Sequence, residues 1–155
     1  MSETARIADQ LRRAFEGEAW HGPSILPLIH DLDARSAMRR PVENAHSIWE
    51  IVAHVEVWDN VVLRRMKGQV VQPTPKEDFP PVEDSSEKAW KQMVHKLVQT
   101  HHELVTAVAA FPEARLNEKV PGKEPDYQTF YFNLHGVIQH EIYHAGQIAL
   151  LKKMY

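Results

Sequence analysis

His140 and His144 stand four residues apart in the run His140-Glu141-Ile142-Tyr143-His144. On a helix that spacing puts both imidazoles on one face, one turn apart. Two ring nitrogens placed so can share one metal ion at about 2.0–2.1 Å. The pair lies in the most apolar part of its segment, where an unpaired polar group is costly. An i,i+4 histidine pair alone is a weak signal, and a third imidazole strengthens it. His54 projects from the apolar side of a separate helical stretch. Three histidines on one side of an ion leave two or three positions open, depending on coordination number. That is the layout of a catalytic or substrate-binding metal rather than a closed structural site. The chain has no cysteine, so thiolate ligands and a disulfide framework are excluded. One divalent transition metal is implied, Zn or Ni first, with Fe, Mn and Co as alternatives.

The same run matches H-E-x-x-H, the zinc-protease signature, in which Glu141 would be the general base. The context speaks against a peptidase. The longer metzincin pattern requires Gly and His further on. Gln147 and Leu150 occupy those places, and no acid follows Glu141. Glu141 stays a speculative catalytic base beside the ligands. Its plainer reading is a partner to the ligands or to another helix. Gln147 either hydrogen-bonds near the site or satisfies a buried backbone group. Gly146 most simply permits close helix packing.

These side chains need helices to carry them. Apolar residues at helical spacing predict a first helix over 3–18, with Ile7, Leu11, Ala14 and Phe15 on one face. A short piece follows over 24–32. Ser47 and Glu50 form a capping box, followed by a broad apolar stripe with His54 at its edge and Gly68 at its end. Four prolines between 68 and 83 mark a long loop, a crossing or a lid. Asp84, with Glu87 three residues on, reads as the cap of a periodic helix through Trp90, Leu97, His101, Leu104 and Phe111, ended by Pro112. A second long loop covers 112–128. The last helix runs from about 128 to 152 and is apolar on more than one side, which predicts that protein surrounds it. No strand is expected. The fold class is all-α, a four-helix bundle with long connections, and 155 residues suit one domain, 1–155.

Ten histidines make assignment necessary. His101, within its helix's stripe, reads as a hydrogen-bonded core residue, with a fourth ligand as the alternative. His135 is roughly 140° around the helix from His140 and should not share the ion. His95 and His102 read as solvated, and His46 as exposed before its cap. His21 either sits in a structural turn or lines a pocket mouth. Trp58, one turn from His54, is a pocket wall or a core residue.

Composition excludes several classes. Net charge is −3, and the 18 Lys and Arg are dispersed in short clusters such as Arg64-Arg65. Nucleic-acid backbones and anionic membranes therefore find little electrostatic support. No apolar run approaches membrane-span length, and the first ten residues lack a signal-peptide core. A cytoplasmic location is expected.

Three segments together resemble the DinB/YfiT-like superfamily: Trp20-His21-Gly22-Pro23-Ser24, His54-Val55-Glu56-Val57-Trp58, and above all His140-Glu-Ile-Tyr-His144-Ala-Gly-Gln-Ile148. The resemblance implies a four-helix bundle, often dimeric, with a metal held by one histidine of the second main helix and two of the last. Those positions are His54, His140 and His144. It implies a metal-dependent hydrolase or a thiol S-transferase, acting on a small-molecule substrate or a low-molecular-weight thiol. Two other readings stand beside it: a non-catalytic metal- or ligand-binding module, and a metal-free helical protein with three buried histidines.

Overall fold

Ser47 starts the helix that carries His54, and it does so with both halves of the capping box. Its hydroxyl accepts the Glu50 N–H, and the Glu50 carboxylate accepts the Ser47 N–H at 2.8 Å. The computed structural model describes residues 1–154. In chain order the helices are α1 (Glu3–Glu16), α2 (Ile25–Ile29), α3 (Ala34–Ala37), α4 (Ile48–Met66), α5 (Pro75–Asp78), α6 (Glu87–Ala109) and α7 (Phe130–Lys152), with a 3-10 turn at Glu113–Arg115. No strand occurs among the described residues; one isolated bridge joins Lys119 and Thr129.

The four long helices close a ring. α1 packs on α6, α6 on α4, α4 on α7, and α7 back on α1. The chain is therefore an all-α bundle with α1 facing α4 and α6 facing α7 across the core. Both diagonal steps need long connections, residues 17–47 and 110–129. The 67–86 connection instead joins neighbours. It is long because it folds α5 against α4, and α5 has its own capping box of Thr74 and Glu77 with Pro75 at the first helical position.

Several boundaries differ from the sequence expectation. α1 stops at Glu16, where Gly17 adopts a φ of 140° and its N–H caps the Arg13 carbonyl. α6 is capped by Ser86, whose hydroxyl accepts the Ala89 N–H. The Asp84 carboxylate accepts the Ser86 N–H and braces the turn before the helix. Glu87 reaches instead to the Ala34 N–H at the start of α3. α7 is not enclosed by protein all round: Tyr143 is 65% exposed and Leu150 62%. An added Cβ at Gly146 would meet nothing, so that glycine serves no packing contact within the chain.

The core has two apolar halves. One gathers Ile7, Leu11, Val62, Leu104, Val108 and Leu134. The other gathers Phe15, Ile48, Val52, Trp90, Leu97 and Ile148. On α4, α6 and α7 alike the two halves are separated by a buried polar residue: Asp59, His101 and Glu141. Ser47→Ala should destabilise the bundle by about 1 kcal/mol through loss of the cap, measured as a lower denaturation midpoint in urea.

Candidate metal centre

α4 and α7 are packed neighbours, and the register of their contact sets three imidazoles against one another. His54 Nε2 lies 2.9 Å from His140 Nε2, which lies 3.0 Å from His144 Nε2. The rings of His140 and His144 meet nearly edge to face, with centroids 4.4 Å apart, as the i,i+4 spacing requires. The sequence placed these three together, and the structure brings them together.

Two of the tautomers are set by neighbours. His54 Nδ1–H donates to the Asp78 carbonyl at 2.8 Å, with the Asp78 carboxylate at 3.1 Å. His144 Nδ1–H donates to Gln147 Oε1 at 2.7 Å. A neutral imidazole carries one hydrogen, so the Nε2 atoms of His54 and His144 present bare lone pairs to His140. His140 Nδ1 is buried without a hydrogen-bond partner. At most one hydrogen can then lie among three nitrogens, and it can serve only one of the two short contacts. A cation satisfies all three. Three imidazole nitrogens gathered this closely would together hold one divalent transition-metal ion. Burial, then the neighbouring histidines, push His140 down to about 3. Burial likewise takes His144 to about 4 and lowers His54. All three are neutral near pH 7, the state that ligates.

The surroundings hold the rings. Phe79 stacks on His54 with centroids 4.0 Å apart, and His46 stacks on the other face of Phe79 at 3.8 Å. Asp78 Oδ1 also accepts the Trp58 Nε1–H at 2.7 Å. Asp78 and Phe79 come from α5 and the residue after it, so the 67–86 connection forms a wall of the site. The imidazoles sit at a cavity of about 670 Å³, of the size that takes small ligands. Trp58, Arg65, Lys123 and Tyr143 line it as well.

The remaining histidines divide as their positions suggest. His135 packs against Tyr131 at 4.4 Å and His102 pairs with Glu16 at the surface. His95 is exposed. His46 is exposed as expected, and its ring also stacks on Phe79. His21 and the fully exposed Trp20 do not line the cavity.

Glu141 requires a correction. One residue on from His140 is about 100° around the helix, and Glu141 points into the core rather than the cavity. Its Oε1 lies 3.0 Å from His101 Nδ1, which is 3.3 Å from Asp59 Oδ2. All three side chains are fully buried, and Phe15 stacks on His101 at 4.0 Å. Glu141 is thus an inter-helix partner, turned away from the ligands. The triad also gathers potential ligand atoms within 4.8 Å of one another, but none of its members lines the cavity.

The chain matches the model of the DinB superfamily over residues 19–148, most of its length. It belongs to that family. The match includes all three histidines and leaves α1 outside. Neither the comparison with curated proteins nor that with solved structures finds a match.

The triad predicts an alkaline limit on stability. Burial opposes a charged His101, but the contacts with Asp59 and Glu141 outweigh it and raise His101 from 6.5 to about 9. Burial and the Asp59 carboxyl push Glu141 up to about 8. The folded chain thus retains protons that the unfolded chain releases. The His101 contribution is complete below 6.5 and is lost as pH rises through about 9. Melting temperature should fall between pH 7 and 9.5, and His101→Gln should flatten that limb; a profile equally steep in both proteins would contradict the assignment.

Proposed function

We propose that this protein binds one divalent transition-metal ion through His54, His140 and His144 and uses it on a small substrate in the cavity beside them. The reading rests on one observation: three Nε2 atoms converge with short contacts that a single hydrogen cannot satisfy. Imidazole donors suit Zn or Ni first, with Fe, Mn and Co also compatible. Bound there, such an ion supplies Lewis acidity toward a water or a thiol, which fits a metal-dependent hydrolase or a thiol S-transferase.

The chain's own residues have distinct tasks. Asp78 and Gln147 fix the Nδ1–H tautomers and aim the Nε2 lone pairs. Phe79 and Trp58 hold the His54 and His140 rings and keep that wall of the cavity apolar. Tyr143 borders the opening.

A second reading, a non-catalytic binding module, is favoured by the lack of a free carboxylate base. Asp78 is the one carboxylate among the cavity-lining residues, and it is already engaged by Trp58 and His54. Turnover of ester or thiol-transfer substrates, lost in His144→Ala, separates the two.

Metal content should be about one equivalent per chain, read by plasma mass spectrometry on untagged protein purified without added metal or chelator. His140→Ala and His144→Ala should lose it. Gln147→Ala should keep the ion with roughly tenfold weaker affinity. Absence of metal together with no binding of Zn or Ni at micromolar levels would overturn the proposal, as would unchanged affinity in His54→Ala.

A further inference from the structure

Arg65 is an anomaly in the cavity wall. It is only 4% exposed, yet no carboxylate pairs with it among the described residues. Its Nε and Nη2 donate to the Val71 carbonyl, and its Nη1 donates to Asn133 Oδ1. Those bonds use three of five N–H donors. The other two have no protein acceptor. A buried cation served only by neutral acceptors and the face of the Trp58 ring, with no counter-charge, is expensive.

A second cation adjoins it. Lys123 is half-buried, lines the same cavity, and has the Gln72 side-chain carbonyl as its acceptor. Burial, and then the charge of Arg65, lower its pKa. The nearby acids of that loop, Glu124 and Asp126, are bound to Lys119 instead. The one carboxylate lining the cavity, Asp78, belongs to the histidine end. The cavity is therefore polarised, with the imidazoles and Asp78 at one end and two uncompensated cations at the other.

The spacing makes both ends reachable at once. His54 and Arg65 are eleven residues apart on α4, which returns to the same helix face within about 20°. The Arg65 guanidinium lies 5.5 Å from the Trp58 ring centroid, and that ring lies 5.9 Å from the His140 ring. The guanidinium is thus at most about 11 Å from the His140 ring. A short-chain molecule spans that gap across the face of Trp58.

We infer that the substrate is a small oxyanion-bearing molecule, a carboxylate or a phosphate, whose charged end is taken by Arg65 and Lys123 while its other end faces the three histidines. The inference rests on the metal-site reading for the second end only. The unused guanidinium donors supply charge-assisted bonds to the anion, Asn133 orients the guanidinium, and Lys123 closes the other side. Neutral analogues leave both cations unpaired and are disfavoured.

The test uses three probes with the same thiol head: 3-mercaptopropionate, 2-mercaptoethylphosphonate and the neutral 2-mercaptoethanol. Titration calorimetry on the metal-loaded protein should show the better acid binding about tenfold or more tighter than the alcohol. Which acid binds better tells carboxylate from phosphate-like ligands. The preference should collapse in Lys123→Ala and Arg65→Met, with 2-mercaptoethanol affinity unchanged. Lys123 lies in a surface connection, so its variant reads the site even where Arg65→Met fails to fold. A parallel titration of metal-stripped protein with succinate and with inorganic phosphate isolates the cationic end. Lys123-dependent binding of either anion there supports the inference even in a protein that holds no metal. Equal affinity for acids and alcohol in wild type, a preference that survives Lys123→Ala, or no Lys123-dependent anion binding to stripped protein would overturn it.

Discussion

Three imidazole nitrogens within hydrogen-bonding distance, with room for one hydrogen among them, form the constraint around which the rest of the structure is arranged. Lone pairs so close repel unless a positive charge lies between them. The chain nevertheless holds them there. The packing of α4 on α7 sets the separation of His54 from the other two. Helical periodicity sets His140 against His144. The Asp78 carbonyl and the Gln147 amide then commit hydrogens to the outer nitrogens and keep the inner ones bare. Each layer removes a freedom that the imidazoles would otherwise use to move apart. A site so organised would lose little binding energy to reorganisation on taking up an ion.

The second organising feature is the polar seam between the two apolar halves of the core. Asp59, His101 and Glu141 come from α4, α6 and α7 and meet in the interior. Removing one partner of such a buried charged set typically costs about 3–5 kcal/mol, so the seam penalises misaligned helices strongly. A shift of α7 by one turn would set Glu141 among aliphatic side chains and pull His140 away from His54. Adjacent residues therefore divide the labour. Glu141 registers the helix, and His140, about 100° around it, faces the cavity.

Much of this was legible in the sequence. Four long helices follow from apolar periodicity, the start of α4 from Ser47 and Glu50, and the convergence of three histidines from the spacing of His140 and His144 with His54 on an apolar face. The direction of Glu141 was not. α7 carries apolar residues on several sides, including the exposed Tyr143 and Leu150, so its rotational phase is poorly marked. Asp78 and Phe79 escaped because only the folded chain brings a proline-rich connection against His54. The local signal was present, however, in Thr74-Pro75-Lys76-Glu77, a capping box that announces α5. Arg65 stood in the sequence only as one half of a short basic cluster with Arg64. Nothing local tells a buried arginine from an exposed one when both sit on the same helix.

The separation of His54 from its partners along the chain has a temporal consequence. Residues 54 and 140 are 86 positions apart, so a ribosome adding about 5–20 residues per second makes His54 roughly 4–17 s before it supplies His140. Through that interval Asp59 can find His101, since α6 is made first, while His54 has no partner to share an ion with. On the proposed metal-site reading, capture of an ion is thus a late event in the life of each molecule. The ions available after synthesis, rather than during it, would then select the one that is kept.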